Sequence, residues 1–213
     1  WGFTMIDCIT WETAHLYGDA WASHHRLRYK LFVERQQWDV PNFNQLEYDQ
    51  YDTPAAVYLL WRDNGGSVRA TTRLVPTSRP YMLQEVFPEL AASGPLPNSP
   101  DIWEATRIGV DRDMEPGMRT RAAAELIAGC LEYGLRNNIG RYVFVMPMAI
   151  IKSLLIRAGC SPVLLGEPKR IGRQLTAAAE IVITSQQLER VRDNCGLHNP
   201  VISDTRVSYQ NVA

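Results

Sequence analysis

No stretch of this chain approaches the run of roughly 20 apolar residues that a membrane-spanning helix requires, and no basic segment followed by an apolar one opens it. A transmembrane protein and a secreted precursor are therefore not expected. Cysteine is scarce and scattered. Cys8, Cys130, Cys160 and Cys195 form no Cys-x-x-Cys pair and no Cys/His cluster at zinc spacing, which argues against a disulfide scaffold and a structural metal. Charge of one sign is lacking as well: 22 Lys plus Arg stand against 23 Asp plus Glu, a net charge of -1. No bulk field exists to hold a nucleic-acid backbone or an anionic membrane, so any charged partner must meet a local patch. Reduced thiols and the missing leader fit the cytoplasm.

What is present suits an ordinary globular core. The 213 residues are 46% hydrophobic, and that length favours one domain over residues 1–213. Met5 is a candidate natural start, and Trp1-Gly2-Phe3-Thr4 are given no functional weight. After a polar start, Leu27, Leu31 and the pair Arg28/Phe32 recur at helical spacing and predict a helix over His24 to Glu34. From Gln36 to Thr53 the period disappears and Pro41, Asn42, Asn44, Asp49 and Asp52 collect, which predicts a long loop. Runs over Ala56 to Arg62 and Ser67 to Val75 flank Asp63-Asn64-Gly65-Gly66, and together predict a β-hairpin. A proline-rich connection follows over Pro88 to Pro100, then a strand over Ile102 to Val110 that holds Glu104 and Arg107.

Ala123, Ile127, Leu131 and Leu135 recur every four residues and predict a helix over Met118 to Asn137 with one face inward. Arg141 to Met146 reads as a short apolar strand. Ile151, Leu154, Leu155 and Ala158 read as a helix ending at Gly159. The order implies an α/β three-layer sandwich around a central mixed, twisted sheet.

Charged and aromatic residues crowd the first half. Singly, each has a plain explanation: an exposed arginine, a core aromatic, a turn aspartate. Together, Arg28-x3-Phe32-x5-Trp38, Asp49-x2-Asp52, Arg73, Phe87 and Glu104-x2-Arg107 form a pattern that resembles the signature of the acyl-homoserine-lactone synthases, the autoinducer synthases of bacterial quorum sensing. The likeness runs from about Arg26 to Ala179 and takes in Ala70-Thr71-Thr72-Arg73-Leu74-Val75-Pro76-Thr77, Pro80-Tyr81-Met82-Leu83 and Gly166-Glu167-Pro168-Lys169-Arg170-Ile171-Gly172. It implies a fold like the GCN5-related N-acyltransferase fold, with a splayed central strand pair. It also implies synthesis of an N-acyl-L-homoserine lactone from S-adenosylmethionine and an acyl thioester, by amide formation and then lactonisation, releasing 5'-methylthioadenosine. S-adenosylmethionine enters as substrate, and no cofactor or metal is expected.

The chemistry assigns roles. A protonated amine cannot attack a thioester, so a carboxylate must take its proton directly or through water, and Glu104 is the candidate catalytic base. Its plain alternative is a salt bridge to Arg107 or Arg73. Glu104 and Arg107 would face opposite ways in a regular strand, so a bulge or splay is expected between them. Phe32 and Trp38 offer an aromatic wall to the sulfonium and adenine. Asp49 and Asp52 either bind the ammonium or tie down the loop. Arg28, Arg35 and Arg107 either bind the substrate carboxylate or lock the same loop, and Arg73 and Phe87 complete the S-adenosylmethionine set. The N-terminal arm, residues 5–53, is expected to form much of that pocket.

Phe144, Met146, Met148 and Ile150 are candidates for the acyl pocket, or else core filler. By resemblance, 3-oxo-preferring relatives carry a Thr or Ser hydroxyl in this segment, and Phe144-Val145-Met146-Pro147-Met148 carries none. A donor without a 3-oxo group is favoured. Lys152 and Arg157, with Lys169, Arg170 and Arg173 beyond, are candidates for docking an acyl carrier protein, and acyl-coenzyme A remains the other donor. Two other readings compete: an acetyl-coenzyme A-dependent N-acetyltransferase, and a non-catalytic acyl-carrier-binding domain. Against the first, Asp113-Met114-Glu115-Pro116-Gly117-Met118-Arg119 holds one glycine and two acids where a diphosphate-cradling loop would stand.

Overall fold

The computed structural model describes residues 6–91 and 94–202, so the expectations for Trp1 to Met5 lie outside the described residues. Side-chain alternation builds the sheet. In β4 (Val57–Arg62), Val57, Leu59 and Trp61 enter one hydrophobic cluster while Tyr58 and Leu60 enter another on the opposite face. A strand apolar on both faces needs cover on both, and helices supply it. Helix α1 (Gly18–Arg28) packs Ala20 and Leu27 on one face. Helices α3 (Pro116–Arg136) and α5 (Ser185–Cys195) pack Leu126, Ile127, Leu131, Leu188 and Val191 on the other. The result is the expected three-layer sandwich.

The remaining elements are β1 (Ile6–Ile9), β2 (Asn42–Phe43), β3 (Leu46–Glu47), β5 (Val68–Pro76), α2 (Met82–Val86), β6 (Ile102–Val110), β7 (Arg141–Pro147), α4 (Met148–Ile150), β8 (Val163–Leu164), β9 (Lys169–Ile171) and β10 (Gln174–Val182). The main sheet runs β1-β4-β5-β6-β7-β10-β8, with β9 also on β10. It is mixed: β6 and β7 are parallel, and the other pairs are antiparallel.

Two irregularities place the site. The ladder between β6 and β7 joins only Ile102–Glu104 to Arg141–Val143. Beyond Glu104 the strands diverge, β6 staying with β5 and β7 with β10. In β6 itself, Thr71 pairs with Gly109 and Arg73 with Thr106, so three steps of β6 oppose two of β5. Arg107, at φ 52°, absorbs the extra residue. The expected bulge and splay are both there.

Several elements differ from expectation. Helix α1 starts at Gly18, earlier than its apolar spacing indicates, and continues as a π-helical turn over Tyr29–Arg35. The polar start contains β1, whose Ile6 and Ile9 are fully buried. The long loop holds the β2–β3 hairpin, in which Asn44 and Gln45 both take positive φ, as a tight two-residue connection requires. Helix α3 is buried nearly all round from Ala122 to Leu131 instead of on one face, because α5 packs against its outer side.

Candidate active site

The site grows from the π-helical turn, a local widening that often marks functional positions. Gln36 N–H donates to Leu31 O at 3.3 Å, and Gln37 then takes φ 57°. The chain reverses, so Trp38 N–H donates to Phe32 O at 2.9 Å. That reversal lays Trp38 on Phe32, with ring centroids 5.0 Å apart and planes 13° from parallel. Gly109 makes room opposite: a Cβ there would stand 2.5 Å from Leu31 Cδ1. Arg107 also stands over Phe32, its guanidinium 5.5 Å from the ring centroid. Phe32 is buried, whereas Trp38 is 40% exposed.

Behind this wall three arginines and three carboxylates interlock. Arg28 is fully buried; its Nε donates to Glu47 at 2.5 Å and its two terminal nitrogens grip Asp52 at 2.7 and 2.8 Å. Arg73 clasps Asp49 at 2.5 and 3.0 Å and reaches Thr106 Oγ1 at 3.0 Å through Nε. Arg107 donates to Glu47 at 3.0 Å and to Asp49 at 2.7 Å. Tyr58 adds a hydroxyl to Asp52 at 2.7 Å. Burial opposes charge on Asp52, but the Arg28 hydrogen bond and the Arg73 and Arg28 charges outweigh it and hold the carboxyl well below its usual range. Asp49 is lowered in the same way, burial being outweighed by Arg73 and Arg107. Such bidentate, charge-assisted pairs fix geometry as well as charge.

Glu47 was not among the sequence candidates. It lies in the aperiodic loop, and its partners Arg28 and Arg107 are 19 and 60 residues away. The one available signal was its place two residues before Asp49, in step with it on an extended segment.

Glu104 stands apart from the network. It is fully buried, and neither Arg73 nor Arg107 forms a salt bridge with it. Its oxygens instead accept Met82 N–H at 2.9 Å and Leu83 N–H at 2.7 Å, at the start of α2. Burial lifts its pKa to about 7 against the pull of those amides and of Arg73. It titrates where a general base is useful.

A chamber of about 950 Å³ opens where β6 and β7 part. Phe32, Arg35, Trp38, Met82 and Arg107 line one part of it, and Val145, Met146, Ile150, Leu154 and Arg157 another. Arg35, Arg107, Arg112, Arg119, Arg121 and Arg157 all reach its walls, and no Asp or Glu among the described residues does. Arg35 has no acidic partner among the described residues. The two acids of the Asp113 to Arg119 loop are spoken for: Asp113 accepts Lys30 at 2.5 Å, and Glu115 caps α3 by accepting Gly117 N–H at 3.1 Å. Gly117 and Arg119 are left facing the chamber, so this loop is less hostile to an anion than its composition indicates.

Other candidates fall elsewhere. Phe87 packs with Tyr81, Leu83 and Leu90 in a separate hydrophobic cluster and does not line the chamber. Phe144 is buried and faces a smaller cavity, and Met148 packs against the main core. Lys152, Lys169, Arg170 and Arg173 are exposed. Trp38, Asp49 and Glu104 nevertheless belong to one neighbourhood: Trp38 stacks on Phe32, Phe32 lies under Arg107, Arg107 donates to Asp49 and reaches Met82 Sδ, and Met82 N–H donates to Glu104.

Known proteins resemble this chain along most of its length. The autoinducer synthase family model matches residues 14–191. The isovaleryl-homoserine lactone synthase of Bradyrhizobium diazoefficiens is 34% identical over 94% of this chain and 90% of its own. The acyl-homoserine-lactone synthase of Pseudomonas aeruginosa is 30% identical over 76% of this chain and 82% of its own. Among solved structures, a CoA-dependent acyl-homoserine lactone synthase with SAM and isopentyl-CoA superposes with a TM-score of 0.86 at 33% identity, over 94% of this chain and 92% of that one. An N-acyl amino acid synthase from uncultured soil microbes shares the fold alone, at a TM-score of 0.52 and 14% identity over 83% of this chain and 91% of that one. The chain belongs to the autoinducer synthase family.

Proposed function

We propose that the chamber between β6 and β7 joins an acyl group to the amino group of S-adenosylmethionine and then closes the lactone, making this acyltransferase an N-acyl-L-homoserine lactone synthase. The observation that carries the reading is the placement of a buried carboxyl titrating near neutrality, Glu104, at the point where the two strands separate beside the Phe32–Trp38–Arg107 wall. Glu104 accepts the amine proton through a water, because Met82, whose N–H binds Glu104, also lines the chamber. The freed amine attacks the thioester carbonyl; the C–N bond forms, the C–S bond breaks, and the thiol leaves with a proton. Strand edges left without a ladder beyond Glu104 and Val143 offer backbone N–H groups to the oxyanion. The substrate carboxylate then attacks the carbon beside the sulfonium, and methylthioadenosine departs. That step asks mainly for a held conformer.

The roles divide by exposure. Trp38 receives adenine and sulfonium with the buried Phe32 as its backing, and Arg35, without an acidic partner among the described residues, holds the carboxylate. Arg28, Arg73 and Arg107 saturate Glu47, Asp49 and Asp52, and the six act as the lock that keeps the N-terminal arm on the sheet. Phe87 acts at one remove, by anchoring α2. The arginine-lined, acid-free chamber favours a polyanionic carrier held inside it, coenzyme A, over a protein docked on the outer lysines. No further cofactor is needed. Among the described residues no helix is long and apolar enough to cross a membrane, and four unpaired cysteines fit a reducing cytoplasm.

The test is incubation with S-adenosylmethionine and acyl-coenzyme A donors, followed by mass spectrometry. Methylthioadenosine and acyl-homoserine lactone should appear in equal amounts. Acylated amine without methylthioadenosine would support a plain N-acyltransferase instead.

A further inference from the structure

Behind the chamber lies a second, far smaller cavity of about 50 Å³. Ala105, Ile108, Ile127 and Met146 line both spaces, so the two adjoin across an apolar boundary. Leu131, Tyr142, Phe144 and Leu155, each at most 5% exposed, close the far side. That wall is braced, because Tyr142 Oη donates to Cys130 O at 2.9 Å.

Size sets what fits. An apolar cavity of about 150 Å³ takes up benzene, six carbons. By proportion this one takes about two carbons, and an acyl chain crossing the shared boundary from a thioester carbonyl in the chamber spends about one or two more on the way. Polarity narrows the choice further. The hydroxyls on the cavity walls are Thr72 Oγ1 and Tyr142 Oη, and both already donate, to Thr106 O at 3.1 Å and to Cys130 O. Neither has a proton left for a substrate carbonyl.

We infer that this chain takes a short aliphatic acyl thioester of about four to five carbons without a 3-oxo group, and that Leu131, Tyr142, Phe144 and Leu155 set the length limit. The inference rests on the chamber being the place of acyl transfer, as proposed above. Each methylene beyond the limit should cost roughly tenfold in kcat/KM, since a close-fitting apolar pocket discriminates one methylene by about 10–200-fold. A 3-oxo group on a chain of equal length should cost roughly 10–100-fold, the extent to which apolar pockets reject an added polar group.

The experiment measures methylthioadenosine release from S-adenosylmethionine with saturated acyl-coenzyme A donors from acetyl to dodecanoyl, and with 3-oxo counterparts. Wild type should peak at butanoyl to pentanoyl and fall at least about 100-fold by octanoyl. Phe144→Ala opens the end wall and should move the peak toward hexanoyl to octanoyl. Cys160→Leu fills the cavity from one wall and should move it toward acetyl, which keeps the question answerable if the first variant does not fold. A wild-type peak at octanoyl or longer, or a profile unmoved by either substitution, overturns the inference and leaves the synthase reading standing. Silence from every donor overturns both.

Discussion

Replacing Glu104 with Gln separates what that carboxyl does chemically from what it costs the fold. Glu104 has no exposed surface, and burial carries its pKa from 4.5 to about 7. At about 1.36 kcal/mol per pH unit, that rise corresponds to about 3 kcal/mol. Between these two pH values the folded chain keeps a proton that the unfolded chain has released. Stability therefore falls as pH rises through the window, and the full cost is present above about pH 7. Gln does not titrate. Met82 N–H and Leu83 N–H bond separate oxygens of Glu104, and Gln puts a donor NH2 in place of one of them, which costs about 1–3 kcal/mol at every pH. That constant drops out when wild type and Glu104→Gln are compared at two pH values. By urea denaturation, the variant should gain about 2–3 kcal/mol relative to wild type between about pH 5 and about pH 8. Its methylthioadenosine release should fall by about 10²–10⁴-fold, and wild-type kcat/KM should drop about tenfold per pH unit below about pH 7. A stability difference that does not change with pH, or a variant turning over within a few-fold of wild type, refutes the reasoning.

The division between lock and wall gives two more outcomes. Arg28→Lys keeps the charge but loses the two-point grip on Asp52 and the Nε bond to Glu47. Uncoupling a buried ion pair of this kind should cost about 3–5 kcal/mol, read as a lowered Tm, with the KM of whatever folds little changed. Trp38→Ala should do the reverse. Its ring is 40% exposed and stacked on one face only, so Tm should hold. The lost aromatic surface, about 0.5–2 kcal/mol, should raise the KM for S-adenosylmethionine by roughly 2–30-fold. Isothermal titration with S-adenosylmethionine, with the Tm measured alongside, separates the two; a Trp38→Ala protein with an unchanged binding constant removes that ring from the substrate wall.

Elements with a strong period were readable without coordinates. The hairpin of β4 and β5, the strand β6 and the helix α3 lie within a few residues of their expected bounds, because clear turn and proline-rich segments bound the strands and four-residue spacing runs the length of the helix. The misses share a cause. Strand β1 is four residues long and interrupted by Asp7, which turns inward to meet Arg62. The β2–β3 turn uses Asn44-Gln45, a pair without the glycine that advertises a positive φ. The N-terminal part of α1 turns inward mainly through aromatic rings: Trp21 and His24 pack against Tyr58 from a distant strand, and His25 packs against Trp21. In each case long-range contacts, not local propensity, decide the conformation.

The same distinction governs the site. Residue types show that arginines and carboxylates abound, but not which of them cancel. Arg28, Arg73 and Arg107 are matched by Glu47, Asp49 and Asp52 in charge as well as in geometry, so the cluster carries no net charge to offer a substrate. Glu104 is the acid left outside that balance, and its nearest donors are two uncharged amides. A carboxylate joined to the network would be held ionised, with a pKa as low as those of Asp49 and Asp52, and would make a weak base. By spending three carboxylates on three arginines one layer away, the fold leaves Glu104 desolvated and titratable near neutrality, beside a chamber whose remaining charges are all positive.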